Sequence, residues 1–207
     1  MNRRAMKKPF FAAALCAISI TLVGCSPTGQ GKPADAPVGA MLDGSSIGGP
    51  FTLNDKDGKR VSWDRFKGKY RIVYFGYTFC PDACPMDMSV LIQGFNKFAE
   101  KHPGKAADVQ PIFITIDPAR DTPKRLAEFT NAFSPKLIGL TGTQAEVDVA
   151  VKAFKAVAAR GTDTPGGYLM DHSRLAYLMD KDGKPIAALP VDKSADAVAA
   201  DLALLVK

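Results

Sequence analysis

The sequence predicts an α/β domain built on a mixed central sheet flanked by helices, and three observations carry that expectation. Short apolar runs of strand length alternate with stretches of helical spacing. Two turns of nearly identical sequence, Asp55-Lys-Asp57-Gly58 and Asp180-Lys-Asp182-Gly183, bracket that alternation. A pair of cysteines four apart, Cys80 and Cys84, stands where an apolar β-branched and aromatic run gives way to a helical pattern.

The chain begins with a segment that reads as targeting rather than fold. Arg3, Arg4, Lys7 and Lys8 form a basic stretch, residues 10–23 are apolar but short for a bilayer, and Leu22-Val-Gly-Cys25 closes the run. These last four residues resemble the lipobox of bacterial lipoproteins, in which the cysteine is lipidated on sulfur and becomes the new N-terminus. Residues 1–24 are therefore expected to be a signal peptide and Cys25 the lipidation site. The remainder would then be exported, facing the periplasm from a lipid anchor. On that reading Cys16 leaves with the signal, and of four cysteines only Cys80 and Cys84 remain as thiols. Removing four cations and no acids from a formal charge of +6 leaves +2, with lysines and arginines scattered among acids. Such a balance offers no support for nucleic-acid binding.

Residues 25–49 are rich in Pro, Gly, Ala and Ser and read as a flexible tether with a reach of about 25 to 30 Å. Residues 50–207 form one domain's worth of chain. Within it, residues 51–53 and 60–63 flank the first turn as an N-terminal β-hairpin, with Gly58 supplying the positive φ. The turn is no calcium loop, because the twelfth position from Asp55 is Phe66 where a bidentate Glu is required. Residues 71–75 form a buried strand. Met88, Leu91, Ile92, Phe95 and Phe98 then keep helical spacing, with Pro85 suited to the first turn. Residues 109–116 are a second strand, and Asp121-Thr-Pro123 caps a helix reaching about Phe133. A short strand at 137–140 precedes a stripe of Val147, Ala150, Val151, Phe154 and Val157. Residues 175–179 and 185–189 make the inserted hairpin around the second turn, and Val198, Leu202 and Leu205 mark a closing helix. A βαβ unit followed by an antiparallel hairpin and a terminal helix is the order of the thioredoxin-like folds.

Thiols one helical turn apart at a strand-to-helix junction can grip one soft metal ion or close on each other. With the element order in place, three motifs become informative together: Gly76-Tyr-Thr-Phe-Cys80-Pro-Asp-Ala-Cys84-Pro85, Ile116-Asp117-Pro118-Ala-Arg120-Asp121-Thr-Pro123, and Asp171-His172-Ser173. Their identity, order and spacing resemble the Sco/SenC family of copper proteins that help assemble cytochrome c oxidase. The resemblance spans nearly the whole domain. It implies a thioredoxin-like fold and a copper ion held by Cys80, Cys84 and His172. It also implies a partner in the oxidase subunit carrying the dinuclear copper centre, with another copper chaperone or a thiol reductant as further partners.

The residues argue for metal on their own terms as well. Thiolates suit Cu(I), Zn(II) and iron–sulfur clusters, and imidazole suits copper and zinc. A closed zinc site needs four ligands, and the mature chain offers two cysteines and two histidines. His102, in Lys101-His102-Pro103-Gly104, is accounted for by a helix C-terminus. Three donors remain, a count that favours copper; a carboxylate or water completing a zinc site is the alternative. Asp171 is a candidate acceptor for the His172 ring, Met86 a candidate soft neighbour, Met170 a soft residue beside the third motif, and Met88 part of the apolar stripe.

As a structural staple the cysteine pair would close only a four-residue loop, worth roughly 2 kcal/mol. A redox role fits better, because thiols at a helix N-terminus have lowered pKa. The rival expectation is thus a thiol-disulfide reductase using Cys80 and Cys84 as its redox pair, with no enzymatic role required under the copper reading. Its spacing departs from the CxxC of dedicated oxidoreductases. Peroxiredoxin chemistry fits less well, since Thr78 stands two residues before Cys80 rather than three and Pro81 follows. Asp117, Arg120 and Asp121 read as a strand-end turn and helix cap.

Overall fold

The computed structural model describes residues 36–207; the expected signal peptide, Cys16 and Cys25 lie outside the described residues. The elements run β1 (Ala40–Met41), β2 (Thr52–Asn54), β3 (Arg60–Ser62), a 3₁₀ turn at Trp63–Phe66, β4 (Tyr70–Gly76), α1 (Ala83–Lys101) and α2 (Pro103–Ala106). They continue as β5 (Val109–Thr115), α3 (Pro123–Phe133), β6 (Ile138–Leu140), α4 (Gln144–Ala153), β7 (Ala158–Thr164), β8 (Gly167–His172), β9 (Ala176–Met179), β10 (Pro185–Leu189) and α5 (Ala195–Leu205). Six strands form the central sheet in the order β1-β10-β9-β4-β5-β6. β4, β5 and β6 are parallel, whereas β9, β10 and β1 are each antiparallel to their neighbours. The mixed sheet is the thioredoxin-like architecture, with β2–β3 and β7–β8 as separate two-stranded ribbons. Among the described residues no helix is long and apolar enough to cross a membrane.

β4 lies at the centre of the sheet with all seven residues buried, as a strand covered on both faces requires. Alternation sends Tyr74 and Phe75 to opposite faces. Tyr74 stacks on Phe113, which packs on Phe129 of α3, and its hydroxyl reaches Asp87 of α1. α5 closes on α1 at Gly94, where a Cβ would lie 2.6 Å from that of Val198. On the other face Phe75 meets Phe154 at 5.3 Å, and Phe154 is also ringed by Phe51, Trp63 and Tyr177 at 6.3, 5.6 and 5.5 Å.

The boundary of the compact unit falls earlier than composition places it. Within the stretch expected as tether, Ala40 and Met41 pair with Ala188 and Ala187. The buried carboxylate of Asp201 accepts the N–H groups of Val38 and Gly39 at 2.7 Å each, fixing the incoming chain on α5. Gly39 tolerates this approach only because it has no Cβ, which would stand 2.1 Å from the Ala188 carbonyl oxygen. A backbone-held edge strand leaves no apolar period to read. Two other expectations shift. Helix α4 ends at Ala153 and its apolar stripe at the buried Phe154, since Lys155 takes a φ of 50° and turns the chain into β7, leaving Val157 exposed. The cap of α3 is the hydroxyl of Thr122, which accepts from the Arg125 N–H, and not Asp121. The β7–β8 hairpin was not expected at all; β7 is largely exposed and polar.

Truncating Phe154 removes the ring on which four others converge. Phe154→Ala is expected to cost about 3 to 5 kcal/mol, seen as a lower midpoint with unchanged slope in urea unfolding of the reduced protein.

Candidate metal centre

Cys80, Cys84 and His172 come together although 88 residues separate the second cysteine from the histidine. Their potential ligand atoms all lie within 4.8 Å of one another. Cys80 arrives on the turn between β4 and α1, and Cys84 on the first turn of α1. His172 arrives as the last residue of β8, just before β9, whose Ala176 pairs antiparallel with Tyr74 of β4. The C-terminal end of β4 and the approach to β9 therefore share one end of the sheet.

The local structure of the turn follows from the needs of a helix end. Asp82 precedes α1 but makes no side-chain capping bond. The acceptor is instead the sulfur of Cys80, 3.3 Å from the donating N–H of Cys84. A negative sulfur there also meets the positive end of the helix dipole. Cys84 is fully buried beneath it, and Gly76 makes the room: a Cβ on Gly76 would lie 2.8 Å from the Cys84 sulfur.

The two thiols are consequently unlike. The hydrogen bond from Cys84 holds Cys80 at about 3, against the opposing effect of burial and with help from His172 and the N–H groups of Cys84 and Asp82. The same bond, then burial, pushes Cys84 up. The reduced pair shares one proton, with Cys80 the thiolate and Cys84 the thiol. Burial opposes the charged form of His172, but hydrogen bonding to Cys80 and to the Ser173 backbone carries its pKa above 6.5.

The His172 ring is oriented by backbone. Its Nδ1 lies 3.1 Å from the Ser173 carbonyl oxygen, which can only accept, so Nδ1 carries a proton. Nε2 is left facing the sulfurs, 3.4 Å from that of Cys84. The ring stands edge-on to Tyr74 and Tyr77, at 6.1 and 5.9 Å. Asp171, expected as the orienting acceptor, is exposed and turned toward Gly161, because successive residues of a strand point to opposite faces.

Asp117, Arg120 and Asp121 do more than shape a turn. The buried carboxylate of Asp121 accepts the Thr78 hydroxyl at 2.6 Å and its N–H at 3.0 Å, and the Thr115 hydroxyl at 2.6 Å. It thereby fixes the chain two residues before Cys80. Arg120 pairs with Asp117, donates to the Tyr168 carbonyl at 2.8 Å and stacks on the Tyr168 ring at 3.6 Å. Its guanidinium also lies 4.8 Å from the ring of Phe79, the neighbour of Cys80, so it joins the cysteine turn to the hairpin that carries His172. No spacing in the sequence signals Tyr168. Of the soft residues, Met88 is core, Met86 is exposed on the first turns of α1, and Met170 is half-buried on β8. His102 lies outside the group, at the C-terminus of α1 with its ring against Phe98.

Two sulfurs and one imidazole nitrogen are a soft donor set, one member already anionic, and such a set suits a thiophilic ion of low coordination number. The same asymmetry, an accessible thiolate over a buried thiol, suits thiol-disulfide exchange.

The comparisons with known proteins bear on that choice. A family profile described as SCO1/SenC matches residues 39–207. An SCO2-like protein of Rickettsia conorii is 39% identical over 165 residues, covering 79% of this chain and 78% of its own. The solved structure of Bradyrhizobium japonicum ScoI with copper bound superimposes with a TM-score of 0.68 at 37% identity, covering 75% of this chain and 97% of that one. The structure of BsSco, described as having a disulfide switch and as a member of the Sco family of cytochrome c oxidase assembly proteins, matches with a TM-score of 0.54 at 26% identity. It covers 81% of this chain and 94% of that one.

The unlike thiols should show in alkylation. In the reduced protein, iodoacetamide should modify Cys80 at pH 5 at a rate close to that at pH 8, where an ordinary thiol would slow roughly a thousandfold. Cys84 should stay unlabelled, with peptide mass mapping as the check.

Proposed function

This chain belongs to the SCO1/SenC family, and from that premise we propose that it is a membrane-anchored copper metallochaperone. Copper is its cargo, held by Cys80, Cys84 and His172, and it supports assembly of the dinuclear copper centre of cytochrome c oxidase. The observation that carries this reading is the convergence of three soft donors from two separate segments, with the imidazole turned by the Ser173 carbonyl so that Nε2 faces the sulfurs. A dithiol exchanger has no need of that third donor.

Each residue has a separate task. Cys80 offers a thiolate before any ion arrives. Cys84 surrenders its proton on loading, so uptake of a cation releases about one proton from the pair. His172 reaches from a different element, which makes it the donor a recipient protein can displace without unfolding the cysteine turn. The recipient is an oxidase subunit bearing copper-ligating thiols. Since an oxidised pair cannot ligate through two thiolates, an external thiol reductant keeps it open, and another copper chaperone loads it.

A second reading, thiol-disulfide reductase acting on the recipient's cysteines, is favoured by the low pKa of Cys80 above a buried partner thiol. The two diverge at His172. Titrating the full-length, fully reduced chain with Cu(I) against a competing chelator should show one ion bound, and His172→Ala should weaken it by about tenfold or more while leaving dithiol exchange largely intact. Copper binding indifferent to His172 would shift the assignment to the reductase. The full chain is needed, because a domain begun at residue 50 would lose β1.

The anchor rests on Leu22-Val-Gly-Cys25. Intact-mass measurement of membrane-extracted protein should find diacylglycerol on an N-terminal Cys25; a chain beginning at Ser26 or at Met1 would remove the anchor from the proposal.

A further inference from the structure

His172 sits at the end of a hairpin that meets the core mainly through Ala158 and Met170. β7 and β8 pair with each other and not with the central sheet, and most of β7 is exposed. Something must hold the base of that hairpin against α1, and the contact present there is an ion pair. Asp87 lies three residues after Cys84 on α1, with its carboxylate almost wholly buried at 1% exposure. Arg174 lies two residues after His172 and donates twice to it, Nε to Oδ2 at 3.0 Å and a terminal nitrogen to Oδ1 at 2.6 Å. Tyr74 completes the set, its hydroxyl donating to Oδ2 at 2.8 Å while its ring meets that of His172.

From this geometry we propose that Arg174 is a positioning residue for His172, acting through Asp87 to fix the imidazole over the cysteine pair. The reading rests on the copper site proposed above. A buried carboxylate tolerates no loss of its cationic partner, so the pair stays closed. Two parallel N–H···O bonds fix orientation as well as distance, which a single bond or a point charge would not do. The clasp spans two segments, and each of its ends lies within three residues of a proposed ligand. It therefore sets the separation of Cys84 and His172 with little slack. The opposite end of the hairpin is held by Arg120 on Tyr168, so His172 is bracketed along the strand. Arg174 is half-exposed, and Arg174→Gln keeps an N–H donor within the side chain for the buried Asp87 carboxylate, which Tyr74 also continues to hold.

The test is a double-mutant cycle on the full-length reduced chain, with Cu(I) as the probe and a competing chelator as reference. Arg174→Gln should weaken Cu(I) binding about tenfold in the parent and by less than about twofold in the His172→Ala background. Arg174→Lys, which keeps the charge and loses the fork, should recover only part of the loss. An equal loss in both backgrounds, or none in the parent, would overturn the proposal, since either means that Arg174 does not act through His172. Amide hydrogen exchange on the metal-free protein separates this from the copper reading. Arg174→Gln should speed exchange in residues 167–173 while α1 keeps its protection, even if the parent bound no copper. Unchanged exchange across that hairpin would overturn the clasp by itself.

Discussion

The N-terminus of α1 exposes backbone N–H groups that need an acceptor, and the acceptor provided is the sulfur of Cys80. Much of the site's chemistry depends on that one contact. It favours a charged sulfur at position 80. A charged Cys80 in turn takes the proton of Cys84 as a hydrogen bond and forces the buried thiol to remain protonated. It also ties helix to ligand. Any event that neutralises Cys80, whether protonation or disulfide formation, weakens the cap of the helix that presents both cysteines.

The sheet supplies what the turn cannot. Parallel pairing of β4 with β5 brings the Asp121 carboxylate to Thr78, which sets the cysteine turn from behind. Antiparallel pairing of β4 with β9 brings in the segment after His172 from the other side. A one-residue slip in that second pairing would move Ala176 off Tyr74 and displace the segment that leads from His172 into β9. The sheet register and the two polar contacts on the hairpin, Arg120 with Tyr168 and Arg174 with Asp87, therefore act on the same distance from opposite directions.

The parts that were legible in the sequence are those in which side-chain pattern and structure share a cause. β4, α1, β5 and α5 bury apolar residues at the periods of strand and helix, and Cys80 and Cys84 occupy a junction that those periods define. The parts that were illegible rest on backbone. β1 is held by backbone pairing with β10 and, just before it, by the N–H groups of Val38 and Gly39 on Asp201, and the ring of His172 by the Ser173 carbonyl, so neither leaves an apolar period to recognise. β7 and β8 form a ribbon that meets the core mainly through Ala158 and Met170, too little to impose an apolar alternation on the sequence. Asp121 illustrates a third kind of failure. Next to Thr122-Pro123 it reads as a helix cap, and only the parallel sheet reveals that its partners are Thr78 and Thr115.

Cargo binding and dithiol exchange draw on the same sulfurs, and the geometry makes them mutually exclusive rather than merely alternative. Exchange begins with attack by the Cys80 thiolate and ends with a Cys80–Cys84 bond, which removes the anionic cap of α1 and the soft donors together. On the copper reading a bound cation would draw on both thiolates without joining them, leaving Cys80 a better acceptor for the Cys84 N–H than a disulfide sulfur is. The helix end therefore discriminates between the two outcomes: it favours whichever state keeps negative charge at Cys80. A reducing environment and an available cation act in the same direction, against the disulfide form. On the copper reading the loaded form would cap α1 better than the disulfide form does, and His172, held by the Ser173 carbonyl outside the cysteine turn, is the donor that takes no part in that cap.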